Sequence, residues 1–146
     1  MTDSIQPIGD DFSASGQPSA SDLPQIAQAG FRSILNVRSP QESDSFADEA
    51  EQAESAGLAY AHVPLSNADP QLDQVQRALA ELENLPKPVL IHCGAGGRAG
   101  AIALIASAVQ AGLTIDQLIA TATEAGISLE QPHLKEFIEN ARQPQE

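Results

Sequence analysis

The segment from Val89 to Gly100 constrains the fold of this chain more than any other. It begins with a short apolar run, passes through the only cysteine, Cys93, and continues through a glycine-rich stretch that contains Arg98. A second apolar segment, residues 101–109, follows at once and predicts a buried helix. We therefore expect a strand, a tight loop and a helix N-terminus in direct succession.

This order of elements predicts an anion-binding loop. In such a loop successive backbone N–H groups point inward, and the dipole of the following helix favours negative charge. A cysteine at the mouth of the loop is expected to react as a thiolate. The planar guanidinium of Arg98 suits a tetrahedral oxyanion. Cys93 and Arg98 are thus predicted to face a pocket that fits a phosphate group or a sulfur atom.

Composition and charge limit the setting of this chemistry. The chain has 146 residues, 42% of them hydrophobic, which suffices for the core of one domain. Its net charge of -13 disfavours nucleic acids and anionic membranes as partners. A single cysteine fits a reducing compartment, and residues 1–7 have no basic or apolar region typical of a signal peptide. We therefore expect a cytoplasmic protein. The sequence does not define an oligomeric state.

Hydrophobic periodicity predicts strands that alternate with helices. The predicted strands cover residues 12–16 (as an edge strand), 31–37, 58–63 and 88–93 (as a central strand). The predicted helices cover a short segment capped by Ser19 or Ser21 that ends at Gly30, then residues 44–56, 72–85, 98–111, 114–125 and 130–141. This order indicates a three-layer α/β domain over residues 11–146, with a mainly parallel sheet flanked by helices and a loose tail at residues 1–10.

Four motifs resemble, in the same order, those of a known family. They are Ser15-Gly16-Gln17-Pro18, residues 29–38 with Glu42, residues 56–65, and His92-Cys93-Gly94-Ala95-Gly96-Gly97-Arg98. Together they cover roughly residues 12–125, and they resemble the compact cysteine-based phosphatases called beta-lactamase-hydrolase-like. The resemblance implies a dual-specificity-phosphatase-like fold that hydrolyses phosphate monoesters through a phosphocysteine. The substrate would be a phosphorylated protein, with a phosphotyrosine-like group, or a small molecule.

The resemblance also assigns roles to residues of the loop. It implies that Cys93 is the nucleophile and that Arg98 clamps the phosphate. It implies that the loop backbone contributes the phosphate-binding N–H groups, which belong to Gly94, Ala95, Gly96 and Gly97.

Two features of the loop leave other functions open. Four residues separate Cys93 from Arg98, a spacing that this subfamily shares with rhodanese sulfurtransferases, whereas most cysteine phosphatases have five. Ala99 follows the arginine where such phosphatases usually have Ser or Thr, so slower breakdown of a phosphocysteine is expected. The alternatives are a rhodanese-like sulfurtransferase with a persulfide on Cys93, and a catalytically weak oxyanion-binding module. The N-terminal motifs favour the phosphatase.

Asp69 is the predicted general acid. It lies in the loop that follows the predicted strand 58–63, where the resemblance places the acid loop. An aspartate before a proline is also a common turn residue or helix cap. Asp73 is the second choice, although a position one turn into a helix is more typical of a solvated face.

The remaining polar residues near these motifs have simpler interpretations. His92 precedes the nucleophile and is expected to brace the loop through hydrogen bonds. Arg38 ends a strand and either touches substrate or, more simply, pairs with Glu42. The three histidines, which include His62 and His133, lack metal-ligand spacing, and the glycines match neither a Walker nor a Rossmann pattern. We therefore predict neither a metal nor a cofactor.

Overall fold

A computed structural model describes residues 5–39 and 48–142, which form one five-stranded sheet and six helices. The strands are β1 (Gln6–Pro7), β2 (Phe12–Ser15), β3 (Ser33–Asn36), β4 (Ala59–His62) and β5 (Val89–His92). The helices are α1 (Asp22–Gln28), α2 (Glu49–Ser55), α3 (Leu72–Asn84), α4 (Gly97–Ala111), α5 (Ile115–Ala125) and α6 (Pro132–Arg142). The predicted α/β class is confirmed. Part of the predicted helix 44–56 lies outside the described residues, as does Glu42.

The sheet has the strand order β1-β2-β5-β3-β4, and only β1 runs antiparallel to its neighbour. All four residues of β5 are buried, which confirms the predicted central strand. The prediction of an edge strand at residues 12–16 was wrong, because β1 pairs with the free side of β2. Residues 6–7 therefore lie on the sheet, where the sequence predicted part of a loose tail. A two-residue strand that includes a proline carries no hydrophobic alternation to reveal it.

Helices cover both faces of the sheet, which confirms the three-layer arrangement. Successive side chains of a strand point to opposite faces, and neighbouring positions of β3 and β5 enter different cores. Ile34 and Leu90 pack with α1 and α2. Leu35 and Ile91 pack with the helices that follow β4, namely α3, α4, α5 and α6.

Helix α4 is the element that carries the candidate site at its N-terminus. It starts from Gly96, whose φ of 105° lies in the left-handed region that favours glycine. The helix that follows is buried on nearly all sides and packs against β2, β5, α3, α5 and α6. The loop after β5 is thus held between a central strand and a buried helix. In the described part of the chain, no helix has both the length and the apolar character to cross a membrane.

Candidate active site

The loop between β5 and α4 surrounds the sulfur of Cys93. The N–H of Gly96 donates to Sγ at 3.0 Å, and the N–H of Ala99 donates to it at 3.4 Å. N–H groups at a helix N-terminus lack intrahelical partners and carry positive partial charge. Cys93 itself is buried. Its sulfur therefore lies where the main chain stabilises negative charge.

Arg98 lies in the first turn of α4 and is buried, with 8% of its surface exposed. Its Nη1 donates to the carbonyl oxygen of Leu65 at 2.8 Å. Leu65 belongs to the loop after β4, so this bond attaches that loop to the candidate anion site. The structure thus brings the predicted clamp and the predicted acid-bearing loop together.

Asp69 lies in the same loop, four residues after Leu65, and is exposed. Its carboxylate accepts a hydrogen bond from Nε2 of Gln71 at 2.8 Å, and its N–H donates to Oγ of Ser66 at 3.3 Å. These bonds are local and hold a turn. Asp73, the second choice for the acid, forms an exposed ion pair with Arg77 at 3.6 Å on α3.

His92 is fully buried at the end of β5 and bonds to a carboxylate that the sequence did not single out. Its Nε2 lies 2.5 Å from Oε2 of Glu49, which begins α2 and is 3% exposed. Burial alone raises the pKa of Glu49, but the hydrogen bond and charge of His92, with hydrogen bonds from Gln17 and Tyr60, outweigh it and lower the pKa below its usual value. Glu49 is therefore an ionised, buried acceptor.

The network continues from Glu49 to the anion loop. Nε2 of Gln17 donates to Oε1 of Glu49 at 2.8 Å, and Nη1 of Arg38 donates to Oε1 of Gln17 at 2.8 Å. The N–H of Gln17 donates to the carbonyl oxygen of Gly94 at 3.3 Å. Arg38 is thus part of a buried polar chain that ends on the loop. The alternative pairing with Glu42 falls outside the described residues.

Two further buried groups respond to this environment. Burial first, and then the nearby Glu49, raise the pKa of Tyr60 to about 12, although a hydrogen bond from Asn36 opposes them. Burial and the charge of Arg98 lower the pKa of His133, so its ring is neutral near Arg98. The described residues contain no group of three His, Cys, Asp or Glu side chains arranged to hold a metal ion.

A cavity of about 390 Å³ lies between the loop, the end of β2 and the segment that joins α5 to α6. The polar side chains in its wall are neutral, and glycines of the loop and of α4 supply much of the rest. The lining includes Ser15, Gly16, Gly96, Gly97, Ser128 and Gln131. Space for an uncharged organic group is therefore available next to the anion loop.

The sequence matches a family over residues 4–113, described as beta-lactamase hydrolase-like protein, phosphatase-like domain. This chain belongs to that family. Over 120 residues it is 32% identical to a beta-lactamase hydrolase-like protein of Xylella fastidiosa, a match that covers 78% of this chain and 27% of that protein. The phosphatase-like domain described here spans about a quarter of the length of the curated relatives it matches.

Solved structures of phosphatase-like proteins have a similar fold. A candidate phosphatase from Neisseria meningitidis is 29% identical, with a TM-score of 0.74 over 95% of this chain and 99% of that one. A candidate phosphatase from Shewanella putrefaciens is 23% identical, with a TM-score of 0.79 over 94% and 90%. TpbA of P. aeruginosa, solved with phosphotyrosine, is 13% identical, with a TM-score of 0.69 over 95% and 88%. The last two show the fold alone. The predicted dual-specificity-phosphatase-like fold and family are confirmed.

Proposed function

We propose that this phosphatase-like domain hydrolyses phosphate monoesters through a phosphocysteine on Cys93. The observation that carries the proposal is the pair of N–H donors on Sγ, from Gly96 in the loop and Ala99 in the first turn of α4, on either side of Arg98. The Cys93 thiolate attacks phosphorus in line, so that an S–P bond forms while the ester P–O bond breaks. Water then cleaves the S–P bond, which releases phosphate and restores the thiolate.

Arg98 and the loop backbone bind the phosphoryl oxygens during both steps. Removal of one such donor from a preorganised site costs roughly 10²–10³ in rate. Gly94, Ala95 and Gly97 are exposed along the loop, so their backbone is open to a ligand. In this proposal the guanidinium of Arg98, which donates to the carbonyl oxygen of Leu65, lies beside the bound phosphate and donates to its oxygens.

Asp69 is the proposed general acid for the leaving alkoxide or phenoxide. Proton donation by a positioned acid contributes about 10²–10⁴-fold. The bond between Arg98 and Leu65 supports this role, because it holds the first part of the Asp69 loop against the anion site. The carboxylate would exchange its bond with Gln71 for one with the leaving oxygen.

The distribution of charge supports a substrate with a single phosphate group. The chain has only 7 Lys and Arg residues against 20 Asp and Glu. Arg98 and Arg38 serve the loop, whereas Arg77, Lys135 and Arg142 form ion pairs on exposed helix surfaces. The neutral cavity beside the loop offers room for the alcohol part of a phosphotyrosine-like or small-molecule monoester.

Hydrolysis of an aryl phosphate tests the mechanism. We expect turnover in the wild type, none in Cys93→Ser, and a loss of at least about 10²-fold in Arg98→Ala. Intact-mass analysis of quenched enzyme is expected to show a phosphoryl group on Cys93. Activity that survives in Cys93→Ser contradicts the proposal. A pH–rate profile with Asp69→Asn tests the acid: if the basic limb does not change, Asp69 is not the proton donor.

Sulfur transfer is the second candidate, favoured by the four-residue spacing between Cys93 and Arg98. It requires thiosulfate-dependent thiocyanate formation and a persulfide mass shift on Cys93, and the absence of both removes it. A weak oxyanion-binding module requires that phosphate raises the melting temperature while no tested ester turns over. Ready hydrolysis of an ester excludes the module.

A further inference from the structure

The carboxylate of Glu49 lies at the centre of a buried network that reaches both chain neighbours of the nucleophile. We propose that Glu49 is a positioning residue for the anion loop, which fixes the ring of His92 on one side of Cys93 and supports Gly94 on the other. The kinetic part of this inference rests on the proposed function, whereas the structural part concerns the reactivity of Cys93 alone.

The first arm of the network holds His92. Its Nε2 lies 2.5 Å from Oε2 of Glu49, and both side chains are buried. In the described structure Nδ1 of His92 has no hydrogen-bond partner, so Glu49 is the polar anchor of the ring. His92 is bonded through the chain to Cys93, and a fixed ring therefore limits how the start of the loop can move.

The second arm reaches the residue after the nucleophile. Oε1 of Glu49 accepts from the side chain of Gln17, whose main-chain N–H donates to the carbonyl oxygen of Gly94. Gly16 packs so closely on this carbonyl that a Cβ there would lie 2.9 Å from it. The end of β2 is thus pressed against the loop, and Glu49 holds the side chain of Gln17 in place.

The third arm of the network joins Glu49 to the hydroxyl group of Tyr60, and here too the carboxylate accepts a hydrogen bond. Nδ2 of Asn36 donates to the hydroxyl oxygen of Tyr60 at 3.0 Å, which leaves the hydroxyl proton for Glu49. Hydrogen bonds from Tyr60, Gln17 and His92 all lower the pKa of Glu49. A buried carboxylate with three donors is costly to assemble and strongly orders the groups around it. Here those groups lie just after β2 (Gln17), on β4 (Tyr60) and on β5 (His92).

The variant Glu49→Gln separates positioning from direct charge, because the two effects on Cys93 have opposite signs. Removal of a nearby negative charge, taken alone, favours the thiolate and speeds its alkylation. Loss of positioning lets the loop move, weakens the N–H bonds to Sγ and slows alkylation. An amide has one acceptor oxygen, so its NH₂ group must face a donor of either His92 or Gln17, and the network cannot persist unchanged.

The test measures the rate at which iodoacetamide alkylates Cys93 at a fixed, mildly acidic pH. We expect Glu49→Gln to react about tenfold more slowly than wild type, the effect of weakening a hydrogen bond to a charged atom. The control Glu51→Gln, an exposed position on the same helix, is expected to react like wild type. Equal or faster alkylation in Glu49→Gln overturns the proposal, since a merely structural residue would lower the melting temperature and leave this rate unchanged.

A second variant keeps the test decisive if Glu49→Gln does not fold. Gln17→Met removes the side-chain bridge at a half-buried position and keeps the main-chain bond to Gly94. We expect slower alkylation, by a smaller factor, in a protein with a wild-type circular dichroism spectrum, and a wild-type rate overturns the proposal. Alkylation needs no turnover. A wild type that hydrolyses no aryl phosphate would therefore refute the proposed function and leave this comparison valid.

Discussion

Replacement of Gly16 by alanine is expected to damage both stability and catalysis, because β2 ends in direct contact with the anion loop. A Cβ at this position would lie 2.9 Å from the carbonyl oxygen of Gly94. The obstacle is main chain on both sides, so no flexible side chain can move away. The φ angle of Gly16 is not in the left-handed region, and steric contact is therefore the cause of the expected effect.

The size of the effect follows from this distance. Ordinary contact of a Cβ begins at 3.4 Å, so the end of β2 and the loop must separate by about 0.5 Å. Overpacking of this kind costs about 1–3 kcal/mol, which corresponds to a melting temperature lower by about 2–12 °C in a domain of this size. A displacement of about 1 Å at a catalytic loop can cost 10²-fold in rate. About half that displacement predicts a loss of about tenfold in kcat/KM.

Gly100→Ala is the matched control for this prediction. A Cβ at Gly100 meets its nearest neighbour, the side chain of Ile127, at 3.7 Å, an ordinary contact. The position lies inside α4, where alanine is favoured over glycine by about 0.5–1 kcal/mol. Thermal melting of both variants and aryl phosphate kinetics of Gly16→Ala check the reasoning; Gly100→Ala is the control for melting alone, because Gly100 lines the cavity beside the loop. A Gly16→Ala protein that melts and turns over like wild type would falsify it.

Three other predictions follow from buried groups, a cap and the net charge. The folded-state pKa of His133 lies below its unfolded value of 6.5, so the unfolded chain binds more protons than the folded one below that pH. The free energy of unfolding should therefore fall below pH 6.5 by up to about 1.4 kcal/mol per pH unit. The lowered pKa of Glu49 should lower the free energy of unfolding in the same way below pH 4.5. Urea denaturation at several pH values measures this, and a flat profile from pH 7 to below 6 argues against it. Thr114→Ala removes the capping box of α5 and should cost about 1 kcal/mol in the same assay, whereas an unchanged midpoint would mean that the cap contributes nothing. The net charge of -13 repels phosphate esters, and added salt screens this repulsion. We therefore expect kcat/KM to rise about two- to fivefold as the Debye length shortens from about 30 to about 10 Å. A fall in kcat/KM would show that local attraction by Arg98 dominates.

Much of the fold follows from local sequence patterns. The apolar run at β5 is buried on both faces. Helix α4 ends before Gly112 and α5 begins after the capping residue Thr114, in agreement with the predicted helices 98–111 and 114–125. These features depend on side-chain periodicity and on backbone conformations that few residues adopt. Strand β1 depends on neither. Its residues, Gln6 and Pro7, are exposed and pair through the backbone of β2, so only the tertiary structure reveals them.

Glu49 shows why part of the candidate site could not be predicted. It lies in an acidic helix with Glu51 and Glu54, and the sequence offers no reason to choose among the three. Glu49 differs from the other two because the fold brings its side chain within hydrogen-bond distance of His92 and Gln17. These residues lie 43 and 32 positions away in the chain. By contrast, Cys93 and Arg98 could be proposed because their loop is continuous in sequence.

The main-chain donors on Sγ also bear on the alanine that follows Arg98. Ala99 is fully buried in the core beneath the loop and contributes its N–H to the sulfur. The resemblance leads us to expect a Ser or Thr at this place, whose hydroxyl would stabilise the departing thiolate; in this chain the sulfur accepts from the N–H groups of Gly96 and Ala99. Such donors stabilise a thiolate equally before attack and on departure, whichever atom it has bonded. In the proposed mechanism, a preference for phosphorus over sulfur would therefore come from outside the loop, and the bond from Arg98 to Leu65 is a contact that joins the loop to the segment that carries the candidate proton donor Asp69.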